Sequence, residues 1–74
     1  MDKRNKMIKR LVLVYNNLNG TNPIRIKDLL SVVSIPVAYK IISVLSKEGI
    51  IKEDKKGYRV DWEKFRLFLA ELLD

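Results

Sequence analysis

Cysteine and histidine are both absent from this 74-residue sequence, and glycine and proline are scarce. Without cysteine the chain can form neither a disulfide nor a thiolate zinc site. Without histidine it lacks the side chain that most often serves as a general base and as a zinc ligand. The three glycines lie far apart, at positions 20, 49 and 57, so no glycine-rich phosphate-binding loop is present. We therefore expect neither an enzyme nor a protein with a cofactor or a bound small molecule.

Acidic side chains that could hold a metal ion are also few. The acidic pairs are Glu53 with Asp54 and Asp61 with Glu63. The first pair lies in a lysine-rich segment and the second at a predicted helix start, where acidic residues are common. An acidic metal site stays open as an alternative, but we expect no metal.

Long apolar runs are missing as well. The apolar run at residues 11–14 is far shorter than the about 20 residues that a membrane-spanning helix needs, and no small-residue cleavage site follows it. The basic start of the first predicted helix could contact phosphate, or it could instead lie on a membrane surface as an amphipathic segment. A domain this small needs that apolar stripe for its core. We expect a soluble cytoplasmic protein without a membrane partner, acting at the nucleoid or in the cytoplasm of a host.

Positive charge dominates most of the chain. There are 15 Lys and Arg residues against 9 Asp and Glu, a formal net charge of +6. Residues 1–61 hold 13 basic and 6 acidic residues, a difference of +7, whereas residues 62–74 hold 2 and 3, a difference of −1. A basic body with a nearly neutral tail indicates a polyanionic partner, although a lysine-rich surface can also serve solubility alone.

The apolar spacing predicts four helices and three short strands. Apolar residues recur at helical spacing, and Gly, Pro and Asp residues mark the ends of the elements. The predicted helices are 3–18, 27–33, 36–48 and 62–73, and the predicted strands are 24–26, 50–53 and 58–60. In the second helix we expect Leu29, Leu30 and Val33 to face inward. Two short helices followed by a tight hairpin favour a helix-turn-helix with a β-wing.

Residues 24–60 resemble the winged helix-turn-helix family of DNA-binding domains. The resemblance is carried by residues 24–30, by residues 34–42, by Leu45 to Ile51 with its Leu-x-x-x-Gly-apolar-Ile pattern, and by the Lys-Lys-Gly-Tyr-Arg-Val segment at 55–60. It implies an α+β, mainly helical fold in which 1–74 is a single winged helix-turn-helix domain, with 62–74 as its C-terminal helix. It also implies a sequence-specific regulator of transcription that binds double-stranded DNA, similar to small regulators of prokaryotes, their plasmids and viruses.

The predicted helix 36–48 is the candidate recognition helix. Burial of Ala38, Ile41, Ile42 and Leu45 would direct another set of side chains outward: Pro36, Tyr39, Lys40, Ser43 and Lys47. Lys40 can donate to guanine or phosphate, Tyr39 can meet a phosphate or a thymine methyl group, and Ser43 can donate to either kind of partner. Two alternatives stay open: Tyr39 packed against a neighbouring helix, and Lys40 merely solvated.

Basic residues also surround the predicted hairpin. Lys55 and Lys56 lie at its tip and Lys52 and Arg59 on its strands, which favours contact with phosphate or the minor groove. An ordinary solvated turn is the alternative. Arg25 and Lys27 are predicted to anchor the DNA backbone, or else to be solvated.

The last helix has more apolar residues than one buried stripe requires. We expect a possible homodimer interface built from Trp62, Phe65, Phe68, Leu69 and Leu72, with simple packing over the core as the alternative. A different functional class is also open, namely a protein–protein interaction adaptor built on the same scaffold with this helix as its docking surface. RNA binding is a weaker option, because the few aromatic residues do not form a stacking platform.

Overall fold

Helices make up most of the part of the chain that the structure describes, and one β-hairpin interrupts them there. The computed structural model describes residues 3–74, so residues 1 and 2 of the predicted 1–74 domain lie outside it. The elements are α1 (Lys3–Leu18), α2 (Ile26–Leu30), α3 (Ile35–Lys47), β1 (Ile51–Asp54), β2 (Gly57–Val60) and α4 (Trp62–Leu73). The predicted α+β, mainly helical class is confirmed. No helix within residues 3–74 has the length and apolar content needed to span a membrane.

The helices α1 and α4 pack side by side and form one wall of the core. Tyr15, near the end of α1, makes edge-to-face contacts with Trp62 and Phe65 at the start of α4, with ring centroids 5.8 and 5.5 Å apart. At the other end, Ile8 near the start of α1 lines one groove with Leu72 near the end of α4, so the two helices run antiparallel. Asp61 caps α4 as predicted, because its carboxylate accepts a hydrogen bond from the backbone N–H of Lys64 at 3.0 Å.

Two of the residues predicted to form a dimer interface are core residues of the single chain. Phe65 is 0% exposed and Leu69 is also buried, both within the cluster that includes Leu11 and Val14 of α1. The prediction is wrong for these two residues because their side of α4 is covered by α1. The half-buried residues Trp62, Phe68 and Leu72 pack against the edge of the same cluster.

The segment between α1 and α3 departs from the prediction. The expected strand 24–26 is reduced to Ile24, whose backbone N–H and C=O pair with Tyr58 at 2.9 and 2.8 Å. Helix α2 begins early, at Ile26, because the carboxylate of Asp28 accepts a hydrogen bond from the backbone N–H of Arg25 at 2.8 Å. That bond and the helical bonds to the Arg25 carbonyl draw the chain away from the sheet.

Helix α2 also ends sooner than predicted. Its last residue is Leu30 instead of Val33. Leu29 is fully buried, but Leu30 is 40% exposed and Val33 only half-buried. In a helix of five residues, Leu30 lies next to the buried position and turns away from the core, so the inward prediction for Leu30 is wrong.

The hairpin has one protected edge. Its register pairs Ile51 with Val60 and Lys52 with Arg59. On the outer side of β2, the Asn22 side chain donates to the Val60 carbonyl and accepts from the Val60 N–H, both at 2.8 Å. Together with the Ile24 bridge, Asn22 completes the hydrogen bonding of this edge and attaches the hairpin to the segment that precedes α2.

Gly57 is expected to be intolerant of a side chain. Its φ is +144°, and a Cβ atom there would clash with the carbonyl oxygen of Ile24. We expect Gly57→Ala to lose about 1–3 kcal/mol of unfolding free energy from backbone strain and a further about 1–3 kcal/mol from overpacking. Urea denaturation followed by circular dichroism measures the loss.

Gly20→Ala is the matched control for this prediction. Gly20 has a positive φ of +90°, but a Cβ atom there would meet nothing within 4 Å. The loss of unfolding free energy in Gly20→Ala should therefore come from backbone strain alone. Equal losses in the two variants would contradict the close approach of Gly57 to Ile24.

Candidate nucleic-acid interface

Helix α3 has a clearly divided surface. Its buried residues are Val37, Ala38, Ile41 and Leu45. Val37 was not expected in this stripe, and Ile42, which was expected there, is half-buried. The buried stripe fixes the rotation of α3 about its own axis, and contacts with α2 and β1 hold it against both elements.

The opposite side of α3 is open to solvent. All five residues predicted to point outward are exposed: Pro36, Tyr39, Lys40, Ser43 and Lys47. At 3.6 residues per turn, Ser43 lies opposite the buried stripe, with Pro36 and Tyr39 on either side of it. Tyr39 is 56% exposed, which contradicts the alternative that it packs against a neighbouring helix.

Helix α3 carries no negatively charged side chain. Its 13 residues contain two lysines and no Asp or Glu. Ser34 precedes the helix with an extended backbone but makes no side-chain capping bond. The first turn therefore leaves backbone N–H groups pointing away from the helix, and these groups favour anions.

Ile35 is an exposed residue on this face that was not predicted from the sequence. The predicted helix began at Pro36, but α3 begins at Ile35 and the Ile35 side chain is 59% exposed. Pro36 is thus the second helical residue, which its fixed φ allows as readily as the first. The spacing of four residues between Ile35 and Tyr39 was the signal that could have identified Ile35.

The hairpin presents its basic residues on one face and at its tip. Lys55 and Lys56 form the exposed two-residue connection between β1 and β2. Lys52 and Arg59 are directly opposed in the register and share the solvent-facing side of the sheet. Like charges in opposed positions repel each other. The Arg59 Nε lies 3.3 Å from Asp54 Oδ2, an exposed ion pair that offsets this repulsion only weakly.

The structure brings Arg25 to the hairpin. Its side chain lies beside Gly57, where the Arg25 Cγ would be 3.3 Å from a Cβ atom on that glycine. Arg25 and Lys27 are both exposed at the start of α2. Arg25 therefore joins the basic group of the hairpin, although it lies 27 to 34 positions earlier in the sequence.

Helix α4 carries a nearly balanced set of charges. On α4, Arg66 forms an ion pair with Glu63, and the hydrogen bond that the Arg66 guanidinium donates to the Glu63 carboxylate raises the pKa of Arg66. The remaining charged residues of α4 are Lys64 and Glu71, and Asp74 follows the helix as its C-cap. Excess positive charge is thus carried by α1, α3 and the hairpin, and α1 alone contains five basic residues and no acidic one.

Comparison of this chain with protein-family models, with curated proteins and with solved structures gives no match.

Proposed function

We propose that this chain is a sequence-specific, double-stranded DNA-binding regulator of transcription with a winged helix-turn-helix fold. In this proposal α2 and α3 are the two helices of the motif, α3 is the recognition helix and the β1–β2 hairpin is the wing. The supporting observation is the outward face of α3, which presents exposed basic and polar side chains and has no carboxylate. A helix of this kind fits the major groove of B-DNA, which is about 12 Å wide.

Contacts with bases are assigned to the first half of α3. In recognition helices the N-terminal residues lie nearest the base edges. Lys40 can donate to the O6 and N7 atoms of guanine, and Ser43 can donate to a base or to phosphate. Tyr39 extends from the same side of the helix. Pro36 and Lys47 lie at the two ends of this face, and Lys47 is placed to meet the phosphate backbone.

Contacts with phosphates are assigned to the hairpin and to the start of α2. Lys55, Lys56 and Arg25 are exposed and cluster around the hairpin tip. A phosphate placed between Lys52 and Arg59 would relieve the repulsion between these opposed side chains. These contacts are independent of base identity, so they would set the orientation of the protein on DNA and the overall affinity.

A homodimer remains a prediction for this chain. Three of the residues first expected at its interface, Trp62, Phe68 and Leu72, are only half-buried. A two-fold dimer would present two copies of α3 to half-sites about 34 Å apart. A regulator of this kind would act in the cytoplasm, either at the nucleoid or in the cytoplasm of a host.

Gel shifts with substituted proteins test the proposed function. Lys40→Ala should weaken binding to a selected duplex by roughly 1–3 kcal/mol and leave random duplexes less affected, because Lys40 reads a base. The double substitution Lys55→Ala, Lys56→Ala should weaken selected and random duplexes about equally. A selected duplex is obtained by enrichment from a random pool.

The matched control removes the same charge from another part of the molecule. Lys64→Ala combined with Arg66→Ala also lowers the net charge by two, but both residues are on α4. We expect this control to bind DNA more tightly than the hairpin variant. Unchanged binding in the Lys40 and hairpin variants would reject the proposed function.

A protein-interaction adaptor is the second candidate, and the exposed apolar residues of α4 favour it. Leu67 and Leu73 are both large, apolar and at least half exposed. This alternative predicts no duplex affinity at moderate salt, and partner binding that a charge at Phe68 or Leu72 abolishes. A pull-down that recovers a protein partner after nuclease treatment would support it.

A further inference from the structure

We propose that α3 recognises thymine methyl groups, with Ile35 and Tyr39 as the residues that contact them, so that the target duplex carries A·T pairs at those positions. This inference rests on the proposed DNA-binding function. It adds the chemical class of the target sequence and assigns a role to Ile35.

The first argument is the exposure of two large apolar side chains at the start of α3. Ile35 and Tyr39 are 59% and 56% exposed. They are four residues apart and therefore lie on the same side of the helix, one turn apart. Both fall in the N-terminal half of α3, the part of a recognition helix that comes nearest to the base edges.

The second argument is the restricted set of hydrogen-bonding side chains on α3. Residues 35–47 contain no Arg, Asn or Gln, and no Asp or Glu. Arg, Asn and Gln are the side chains that most often read guanine and adenine with paired hydrogen bonds. Only Tyr39, Lys40, Ser43, Ser46 and Lys47 carry polar groups. Base discrimination by hydrogen bonds is thus left to a few side chains such as Lys40 and Ser43, and apolar contact is a further source of discrimination on this face.

The third argument is the fit of an apolar and cationic surface to the major groove. The C5 methyl group of thymine is the apolar group that a base pair presents there, and it lies between two strands of phosphates. Ile35 and Tyr39 are followed by Lys40 and have no carboxylate beside them on α3. This combination of apolar side chains and positive charge matches thymine methyl groups within a polyanion.

The test uses deoxyuridine, which differs from thymidine only by the missing methyl group. A duplex selected from a random pool is synthesised again with deoxyuridine at each thymine position in turn. Loss of one contacted methyl should weaken binding of the unsubstituted protein about fourfold, which corresponds to about 0.8 kcal/mol. Positions outside the contact should show no change.

Ile35→Ala identifies the residue responsible. This variant should bind the thymine-containing duplex more weakly and should lose its sensitivity to deoxyuridine at the position that Ile35 contacts. Its binding to random duplexes should stay close to that of the unsubstituted protein. Leu67→Ala is the matched control, because Leu67 is an aliphatic residue of α4 that is 50% exposed. It should retain both the affinity and the sensitivity.

The outcomes separate this inference from the proposed function. Absence of any duplex binding overturns the proposed function, and this inference with it. Specific binding that is insensitive to deoxyuridine at every position leaves the proposed function standing and overturns the thymine contact. Equal sensitivity to deoxyuridine in Ile35→Ala and in the unsubstituted protein overturns the role of Ile35. An unaltered affinity of Ile35→Ala for the selected duplex also overturns it, and would assign the exposed side chains of Ile35 and Tyr39 to another partner.

Discussion

Phe65→Ala is expected to lower the free energy of unfolding by about 3–5 kcal/mol, the range observed when a buried phenylalanine is truncated. Phe65 is completely buried and contacts Tyr15 edge-to-face, while its ring stacks on Trp62 with centroids 5.6 Å apart. A domain of this size has a small core, so a loss of this magnitude is a large part of its total stability. The variant should be largely unfolded near physiological temperature.

Denaturant titration provides the measurement. Trp62 is the only tryptophan of the chain and packs against Phe65, so its fluorescence reports directly on this part of the core. Leu67→Ala on the same helix is the control, because Leu67 is half exposed and its truncation should cost little. Stability of Phe65→Ala close to that of the unsubstituted protein would contradict the packing of α4 against α1.

Raising the salt concentration from about 50 to about 200 mM is expected to weaken duplex binding by roughly 10³–10⁵-fold if six or more phosphates are contacted. The proposed interface includes eight basic residues, namely Arg25, Lys27, Lys40, Lys47, Lys52, Lys55, Lys56 and Arg59. All eight are exposed. Each phosphate that they neutralise releases condensed counterions, which makes the affinity fall steeply with salt.

The slope of this salt dependence measures how many phosphates the protein neutralises, and the change in slope of a hairpin variant measures the share of the hairpin. Affinities measured by fluorescence anisotropy over a range of salt concentrations yield log K against log salt. Lys55→Ala with Lys56→Ala should reduce the slope by about 2, since each phosphate-binding lysine contributes about 1. The Lys64→Ala, Arg66→Ala control should preserve it. An unchanged slope in the hairpin variant would remove the wing from the DNA interface.

Much of the fold follows from local sequence patterns. The prediction of 62–73 as a helix matches α4, and Asp61 caps it, because capping requires only a carboxylate and the backbone N–H three residues later. The outward face of α3 was also predictable, since helical spacing determines which residues oppose a buried stripe. These features depend on residues within about one turn of each other.

The errors in the prediction occur where distant segments meet. Residues 24–26 have the β-branched alternation of a strand, but only Ile24 pairs with another strand, through Tyr58 of β2. The next residue, Arg25, donates its backbone N–H to the Asp28 carboxylate instead. The pairing of Asn22 with Val60 joins residues 38 positions apart, and no local pattern indicates it.

The candidate site likewise contains some residues that the sequence predicted and some that only the folded chain brings there. The basic residues of α3 and the hairpin were identifiable from the sequence, whereas the approach of Arg25 to Gly57 depends on the folded chain. The position of Ile35 on the outward face of α3 was not predicted, because the predicted helix began one residue later, at Pro36. The role of that face in binding DNA is a proposal that the gel shifts above test.

By itself, the sequence determined where most helices and strands form, which face of α3 is apolar, and where positive charge is concentrated. Spacing, capping and charge are properties of neighbouring residues, so they can be read along the chain. Only the tertiary structure decided that Phe65 and Leu69 serve the core of one chain rather than a second copy, and that Ile24 and Asn22 hold the hairpin. A side chain's burial partner depends on which distant segment covers it, and an apolar stripe looks the same whether its partner is α1 or another molecule.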